Sequence, residues 1–115
     1  MSKEITRLNH EPRCFASISD NSFLSGGREG NIFLWKEKGG NEKIEMVQCL
    51  DAGRTVNNLF YFYRMFVAVL DNGELQRWEA DGQNYIFTKK KMLSGIVHVI
   101  SARKVGDWAV CVHVR

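Results

Sequence analysis

Apolar and polar positions alternate along most of the chain with a period of about two, the spacing of a strand with one buried face. The alternating segments are short, and turn residues such as Gly39-Gly40 and Asp81-Gly82 separate them. No segment keeps a helical apolar period over three turns, so we predict an all-β protein. The predicted strands cover 4–8, 13–19, 22–26, 31–35, 43–49, 56–62, 65–70, 74–78, 84–88, 97–102 and 108–114.

The pattern repeats after 43 residues without a gap. This shift superposes Phe23 on Phe66 and Trp35 on Trp78, and a second shift reaches the apolar run 108–112. A period in this range is typical of stacked units that cannot bury their apolar faces alone. We therefore divide the chain into an N-terminal strand, two four-stranded units and an incomplete third unit, at 4–8, 13–49, 56–92 and 97–115.

The turns predict how the strands of a unit connect. Asn72-Gly73 is a strong signal for a two-residue hairpin turn of type I′, in which both central residues take positive φ. Glu29-Gly30 occupies the same place one unit earlier. Consecutive strands joined in this way form an antiparallel meander of four.

One segment resembles the core of a WD repeat, the blade unit of WD-repeat β-propellers: SGGREGNIFLWK, at 25–36. A weaker copy, DNGELQRWE, lies at 71–79. The resemblance implies four-stranded antiparallel blades in an incomplete, open propeller of about two and two-thirds repeats, where closed propellers have typically four to eight blades. It also implies a scaffold that binds other proteins.

The repeat departs from the family pattern at its polar positions. The turn aspartate is Glu29 in one unit and Asn72 in the other, and the closing Trp-Asp pair ends in Lys36 or Glu79. The Gly-His pair of the family is retained only as Asn9-His10. By the resemblance, His10 packs at a blade edge.

The repeated apolar residues are expected to form the core. Phe23 with Phe66, Ile32 with Leu75, and the two tryptophans would fill the space between blades. Small residues at Ser25, Ala68 and Cys111 would let neighbouring sheets approach.

Three explanations of the open propeller stay possible at this point. The chain is a fragment or shortened product of a longer propeller, or it completes a ring with other copies or with a different chain. In the third explanation it is an open sheet protein whose outer units have diverged. Unpaired strand edges and apolar end faces favour association in each case.

Composition limits the class of protein without naming a function. The chain has 115 residues, 44% hydrophobic and 25% charged, with a net charge of +3, which suits one globular domain. Its three cysteines, Cys14, Cys49 and Cys111, are odd in number and form no Cys-x-x-Cys pair. We expect buried, reduced thiols in a cytoplasmic or nuclear protein, and the longest apolar run is too short to cross a bilayer.

No motif for catalysis, a cofactor or a metal is recognisable. The chain has no phosphate-binding glycine loop, no His-Glu-x-x-His and no nucleophile elbow. The histidines, His10, His98 and His113, occupy different positions of the repeat and are not expected to converge on a metal. We therefore predict a non-enzymatic protein with no cofactor and no membrane partner.

Two candidate binding surfaces follow. In the WD-repeat family, partners dock on the face formed by the loops that enter the innermost strands and by the turns after the second strands. Transferred to this chain, that face displays His10, Arg13, Arg28, Asp51, Arg54 and Asp71. The alternative is RNA or another nucleic acid, bound through basic residues in the segment 89–104: Lys89, Lys90, Lys91, Arg103 and Lys104.

Overall fold

The computed structural model describes residues 10–39 and 43–92. Within these ranges the chain forms two four-stranded antiparallel sheets, each in sequential strand order. The first contains β1 Pro12–Ser19, β2 Ser22–Gly27, β3 Asn31–Lys38 and β4 Lys43–Asp51; the second contains β5 Val56–Phe62, β6 Met65–Leu70, β7 Glu74–Asp81 and β8 Asn84–Met92. The all-β fold and the two meanders confirm the predicted fold class.

Several sequence predictions lie outside the described residues. They are the strands 4–8, 97–102 and 108–114, the incomplete unit 97–115, and the single residues His98, Arg103, Lys104, Cys111 and His113. In the described part of the chain, no helix is long and apolar enough to cross a membrane.

The third and fourth strands of each sheet extend past their predicted ends at the tryptophans and at residues 49 and 88. In the first sheet, pairing continues beyond Trp35 to Lys38, which lies opposite Lys43. Charged side chains that alternate with half-buried positions continue the ladder at the sheet edge, and the apolar pattern gives no signal for them.

The turns after β2 and β6 differ from the predicted type I′ geometry. Gly73 has φ 87°, but Arg64 is the one non-glycine residue with positive φ in the described chain, so Asn72 does not adopt it. The amide of Gly73 donates to the Leu70 carbonyl at 3.2 Å, and Gly30 repeats this bond to Gly27. Both connections are therefore three-residue loops that end on a left-handed glycine.

The sequence repeat has the same backbone form in both sheets. A register shift precedes each tryptophan, between Leu34 and Trp35 and between Arg77 and Trp78. The bond from Glu37 N–H to the Asn21 carbonyl, 2.7 Å, recurs as Ala80 to Arg64, 2.9 Å. The two units are thus copies of one module in structure as well as in sequence.

A core of buried residues joins the two sheets. It combines Leu24 and Ile32 of the first sheet with Phe66, Ala68 and Trp78 of the second. Large side chains buried in this way each stabilise the fold by about 1.5–3 kcal/mol. The prediction that Phe66, Trp78 and Ile32 fill the space between blades is confirmed.

The two sheets lie close together at Gly26. A Cβ at this position would lie 2.5 Å from Val56 Cγ1, on β5 of the other sheet, and 2.9 Å from Cys14 Sγ. A side chain here would force the two sheets apart. Gly26 therefore permits the close packing of β2 against β5.

Each sheet also has an apolar face turned away from the shared core. In the first sheet this face carries Phe33 and Trp35, with Phe23 and Ile44 beside them. In the second sheet it carries Val67, Val69 and Leu75. Two apolar faces per sheet are the arrangement that stacked repeats require.

Candidate functional site

A buried hydrogen-bond network connects the segment before β1 to the inside of the first sheet. Nε2 of His10 lies 2.8 Å from Oγ of Ser25, and the indole N–H of Trp35 donates to the same oxygen at 2.8 Å. Nδ1 of His10 bonds to the carboxylate of Glu29. Phe33 packs against the His10 ring, with centroids 4.3 Å apart.

One arrangement of protons satisfies every group in this network. The indole N–H can only donate. The Ser25 hydroxyl therefore accepts a hydrogen bond from Trp35 and donates one to Nε2 of His10. The Nδ1–H of the His10 ring then donates to the Glu29 carboxylate. The segment before β1, the turn after β2 and strand β3 are thereby held by one chain of hydrogen bonds.

The order serine, histidine, carboxylate is also that of a hydrolase triad, but this network cannot act as one. Ser25 is fully buried, and its oxygen already accepts the Trp35 N–H. Phe33 covers the imidazole. A substrate carbonyl therefore has no path to the hydroxyl, and the network stabilises the blade.

The carboxyl of Glu29 has a pKa lowered below its usual value. Burial tends to raise the pKa of its carboxyl, but hydrogen bonds from His10 and from the backbone N–H groups of Glu29 and Glu11 outweigh burial. The pKa consequently lies below its usual value of 4.5. A carboxylate that stays charged holds the Nδ1–H tautomer of His10.

In the second sheet, a different residue accepts the hydrogen bond from the buried tryptophan N–H. At the positions of His10 and Ser25 it has Gly53 and Ala68, which cannot bond to the indole of Trp78. Gln76 replaces them: its Oε1 accepts the Trp78 N–H at 3.1 Å, and its Nε2 donates to the Ala52 carbonyl at 2.8 Å. The loop before β5 is thus also connected to a buried tryptophan.

The sequence does not predict these two hydrogen-bond networks. By sequence alone, Glu29 is a turn residue and Gln76 is an ordinary polar strand residue. A usable signal did exist, since Ala68 leaves Trp78 without the acceptor that Ser25 supplies to Trp35. A polar residue two positions before the tryptophan on β7 is the compensating change.

The predicted partner-binding residues lie at one end of both sheets, with one difference. Arg13, Arg28, Asp51, Arg54 and Asp71 are exposed. His10 is 5% exposed and therefore supports this end from inside, as expected for a residue packed at a blade edge, and adds no side chain to its surface.

Contacts at this end, which we call the loop face, hold its loops in place, and the bond from Thr55 to Arg28 joins the two sheets. Arg54 Nε donates to Asp71 Oδ1 at 2.7 Å, and Thr55 Oγ1 donates to the Arg28 carbonyl at 2.7 Å. Arg28 also lies 3.7 Å from a carboxylate oxygen of Glu11, with both side chains 67% exposed. Asp51 accepts a bond from the Gly53 amide at 2.9 Å.

The lysines of the alternative nucleic-acid surface lie on the outer strand β8. Lys89, Lys90 and Lys91 are exposed and pair with Arg77, Gln76 and Leu75. Because side chains alternate along a strand, Lys89 and Lys91 share one face of the sheet and Lys90 lies on the other.

The two described cysteines are free thiols, as predicted, but only one is shielded from solvent. Burial raises the pKa of Cys14 from 9.0 to about 11, against the opposing effects of a Gly26 backbone hydrogen bond and the Arg13 charge. Cys49 is exposed, so the prediction of buried thiols is wrong there. Cys49 lies on the outer strand β4, and no described strand packs over its side chain.

No protein-family model and no curated protein matches the chain. Among solved structures, the fold is similar to the crystal structure of Saccharomyces cerevisiae Sqt1, with a TM-score of 0.66 and 12% sequence identity. The match covers 80% of this chain and 26% of that one, so the chain spans about a quarter of the Sqt1 chain. This likeness and the repeated four-stranded sheets show the fold of a partial WD-like β-propeller.

Proposed function

We propose that the chain is a non-enzymatic scaffold that binds a protein partner through the loop face. The observation that carries this proposal is the fixed position of the loops. His10 anchors the segment before β1 and Gln76 anchors the loop before β5, each to a buried tryptophan. Loops held in this way lose little conformational entropy when a partner binds.

The chemistry of the loop face suits recognition of a polar protein surface. Arg13, Arg28 and Arg54 project from it, beside the carboxylates Asp51 and Asp71. Arginine is enriched among residues that dominate interface energies, since its planar group forms several directed hydrogen bonds. The partner is expected to present carboxylates to the arginines and hydrogen-bond donors to Asp51 and Asp71.

A pull-down with the full chain tests this proposal. Arg28→Ala and Arg54→Ala should each reduce recovery of a specific partner, because each removes an exposed guanidinium from the loop face. Lys43→Ala is the matched control, since it removes an exposed cation at the start of β4, at the other end of the sheet. Equal recovery with all three variants would contradict the proposal.

We propose further that the chain works as part of a larger propeller or assembly. The support is a set of large apolar side chains left exposed on the outer strands: Met46 and Val47 on β4, and Ile86, Phe87 and Met92 on β8. Mass measurement in solution distinguishes a discrete assembly from a monomer. A compact monomer at every concentration would exclude self-assembly.

RNA binding through the basic segment remains the alternative function. Its support is the exposure of Lys89, Lys90 and Lys91 on an edge strand. Such binding should weaken steeply with salt and fall when these lysines are neutralised together with Arg103 and Lys104. A salt-independent signal would exclude it.

A further inference from the structure

A groove separates the two sheets at the end opposite the loop face. Its volume is about 590 Å³, and it is lined by the turn after β1, by β3 and β4, and by the turns after β5 and β7. A volume of this size lies within the range of ligand-binding clefts, roughly 300–1,000 Å³. None of the predicted partner-binding residues lines it.

The walls of the groove are partly apolar. Leu34 and Val47 line it from the first sheet, and Tyr61, Ala80 and Tyr85 line it from the second. The Tyr85 hydroxyl donates to the Tyr61 hydroxyl at 3.3 Å. An occupant would therefore meet both hydrocarbon surface and phenolic oxygens.

The charges of the groove are predominantly positive. Lys36 lines it from the first sheet and Arg64 from the second, and neither has an ion pair within the described residues. The one lining carboxylate, Glu45, lies 3.5 Å from Nζ of Lys38. Two cations on opposite walls thus face the groove and outnumber its one lining carboxylate, Glu45, which lies opposite Lys36 in the β3–β4 ladder.

The positive charge of Arg64 affects a tyrosine hydroxyl in the groove. Burial, the bond to Tyr61 and the Tyr61 hydroxyl raise the pKa of Tyr85, and the positive charge of Arg64 partly opposes them. The backbone of Arg64 contacts the same hydroxyl pair, because its N–H donates to the Tyr61 hydroxyl at 3.2 Å.

The backbone at Arg64 is itself unusual. Its φ of 58° is in the left-handed region, which glycine or asparagine occupies at lower cost than arginine. The turn itself gives no reason for an arginine at this position, because a non-glycine residue strains the backbone at this φ. A role for its side chain in the groove does explain it.

We propose that this groove binds an acidic, partly apolar segment of a partner protein in extended conformation. Carboxylates of the segment would pair with Lys36 and Arg64, and its apolar side chains would cover Leu34 and Val47. Because the two cations belong to different sheets, the occupant would bridge the blades. This site is separate from the loop face, and its occupant can be a second region of the same partner.

Fluorescence anisotropy with the full chain tests the proposal. The probe is a short fluorescein-labelled peptide of alternating glutamate and leucine, and a peptide of alternating lysine and leucine is the charge-reversed control. The glutamate peptide should bind and the lysine peptide should not. Arg64→Gly and Lys36→Ala should each weaken binding by about tenfold, the usual effect of losing one charge-assisted hydrogen bond.

Arg64→Gly separates a loss of binding from a loss of folding. Glycine relieves the positive φ, so the variant should melt at the same temperature as the parent chain or higher. Arg28→Ala should leave peptide binding unchanged, because Arg28 lies on the loop face; this control keeps the test independent of the proposed function. Equal binding of both peptides, no binding of the glutamate peptide, or full binding by Arg64→Gly would overturn the proposal, as would preference for a single-stranded RNA competitor.

Discussion

The indole N–H of Trp35 donates to the hydroxyl of Ser25, and the same hydroxyl is within 2.8 Å of His10. One buried oxygen thus serves two partners. In the next sheet, alanine stands in place of this serine, and the equivalent tryptophan bonds instead to Gln76 at 3.1 Å. Two copies of one module satisfy the same buried donor by different side chains.

Removal of the Ser25 hydroxyl should be costly. Ser25→Ala leaves the Trp35 N–H and Nε2 of His10 without partners, and a buried unsatisfied group costs about 1–3 kcal/mol. Chemical denaturation should show this loss of stability. Ser22→Ala on the same strand is the control, since its hydroxyl bonds to Ser19 in an exposed turn and its loss should be within about 0.5 kcal/mol. Equal effects of both changes would contradict the role of the network.

Gln76 should control the loop before β5 more than it controls the rest of the sheet. Gln76→Leu keeps a similar volume but removes the acceptor of the Trp78 N–H and the donor to the Ala52 carbonyl. Hydrogen exchange should become faster at residues 52–55, while the turn at 63–64 keeps its rate. Unchanged exchange in the loop would show that Gln76 does not anchor it.

The stability of the protein should depend on the ionisation of Glu29. A carboxyl with a lower pKa in the folded than in the unfolded chain stabilises the fold above its unfolded pKa, and this stability is lost as pH falls through the folded pKa. The parent chain should therefore lose stability below about pH 4.5 more steeply than Glu29→Gln, which keeps the shape of the side chain.

A second carboxylate contributes to the same acid range and must be allowed for. Hydrogen bonds from Arg77 and Thr88 lower the pKa of Glu79, against a small effect of burial. Glu79 is present in both proteins, so the difference between their stability curves isolates Glu29. Parallel curves from neutral pH to pH 3 would contradict the prediction.

Gln48 should hold the outer strands of the two sheets together. Its amide bonds to both backbone groups of Tyr85, donating to the carbonyl at 3.1 Å and accepting from the N–H at 2.9 Å. Gln48→Ala should lower the free energy of unfolding by about 1–3 kcal/mol, because these two bonds are lost. Glu45→Ala on the same strand removes only an exposed ion pair and should have little effect.

The sequence predicted the parts of this fold that depend on local pattern. The alternation of apolar and polar residues predicted the strands. The 43-residue shift predicted that Phe23 and Phe66 are equivalent, and each ring stacks on the tryptophan of its own sheet with ring centroids 6.3 and 6.0 Å apart. It could not predict that Gln48 reaches Tyr85, because this contact depends on how two sheets pack. Gln76 reads as an ordinary polar strand residue until its position beside Trp78 is known.

The site was predicted less completely than the fold. The exposed residues of the loop face and the packing of His10 followed from the family resemblance. The bond of His10 to Ser25 and its contact with Phe33 depend on the three-dimensional structure. The groove between the sheets is formed by three turns, after β1, β5 and β7, together with strands β3 and β4. No local sequence pattern indicates that Lys36 and Arg64 line the same groove.

The central claim is that two equivalent sheets pack face to face, and a nuclear Overhauser measurement between Gly26 and Val56 tests it most directly. These residues belong to different sheets, and their approach permits no Cβ at Gly26. The account predicts a strong cross-peak between the α protons of Gly26 and the methyl protons of Val56. Assigned, well-resolved signals from both residues without that cross-peak would contradict it.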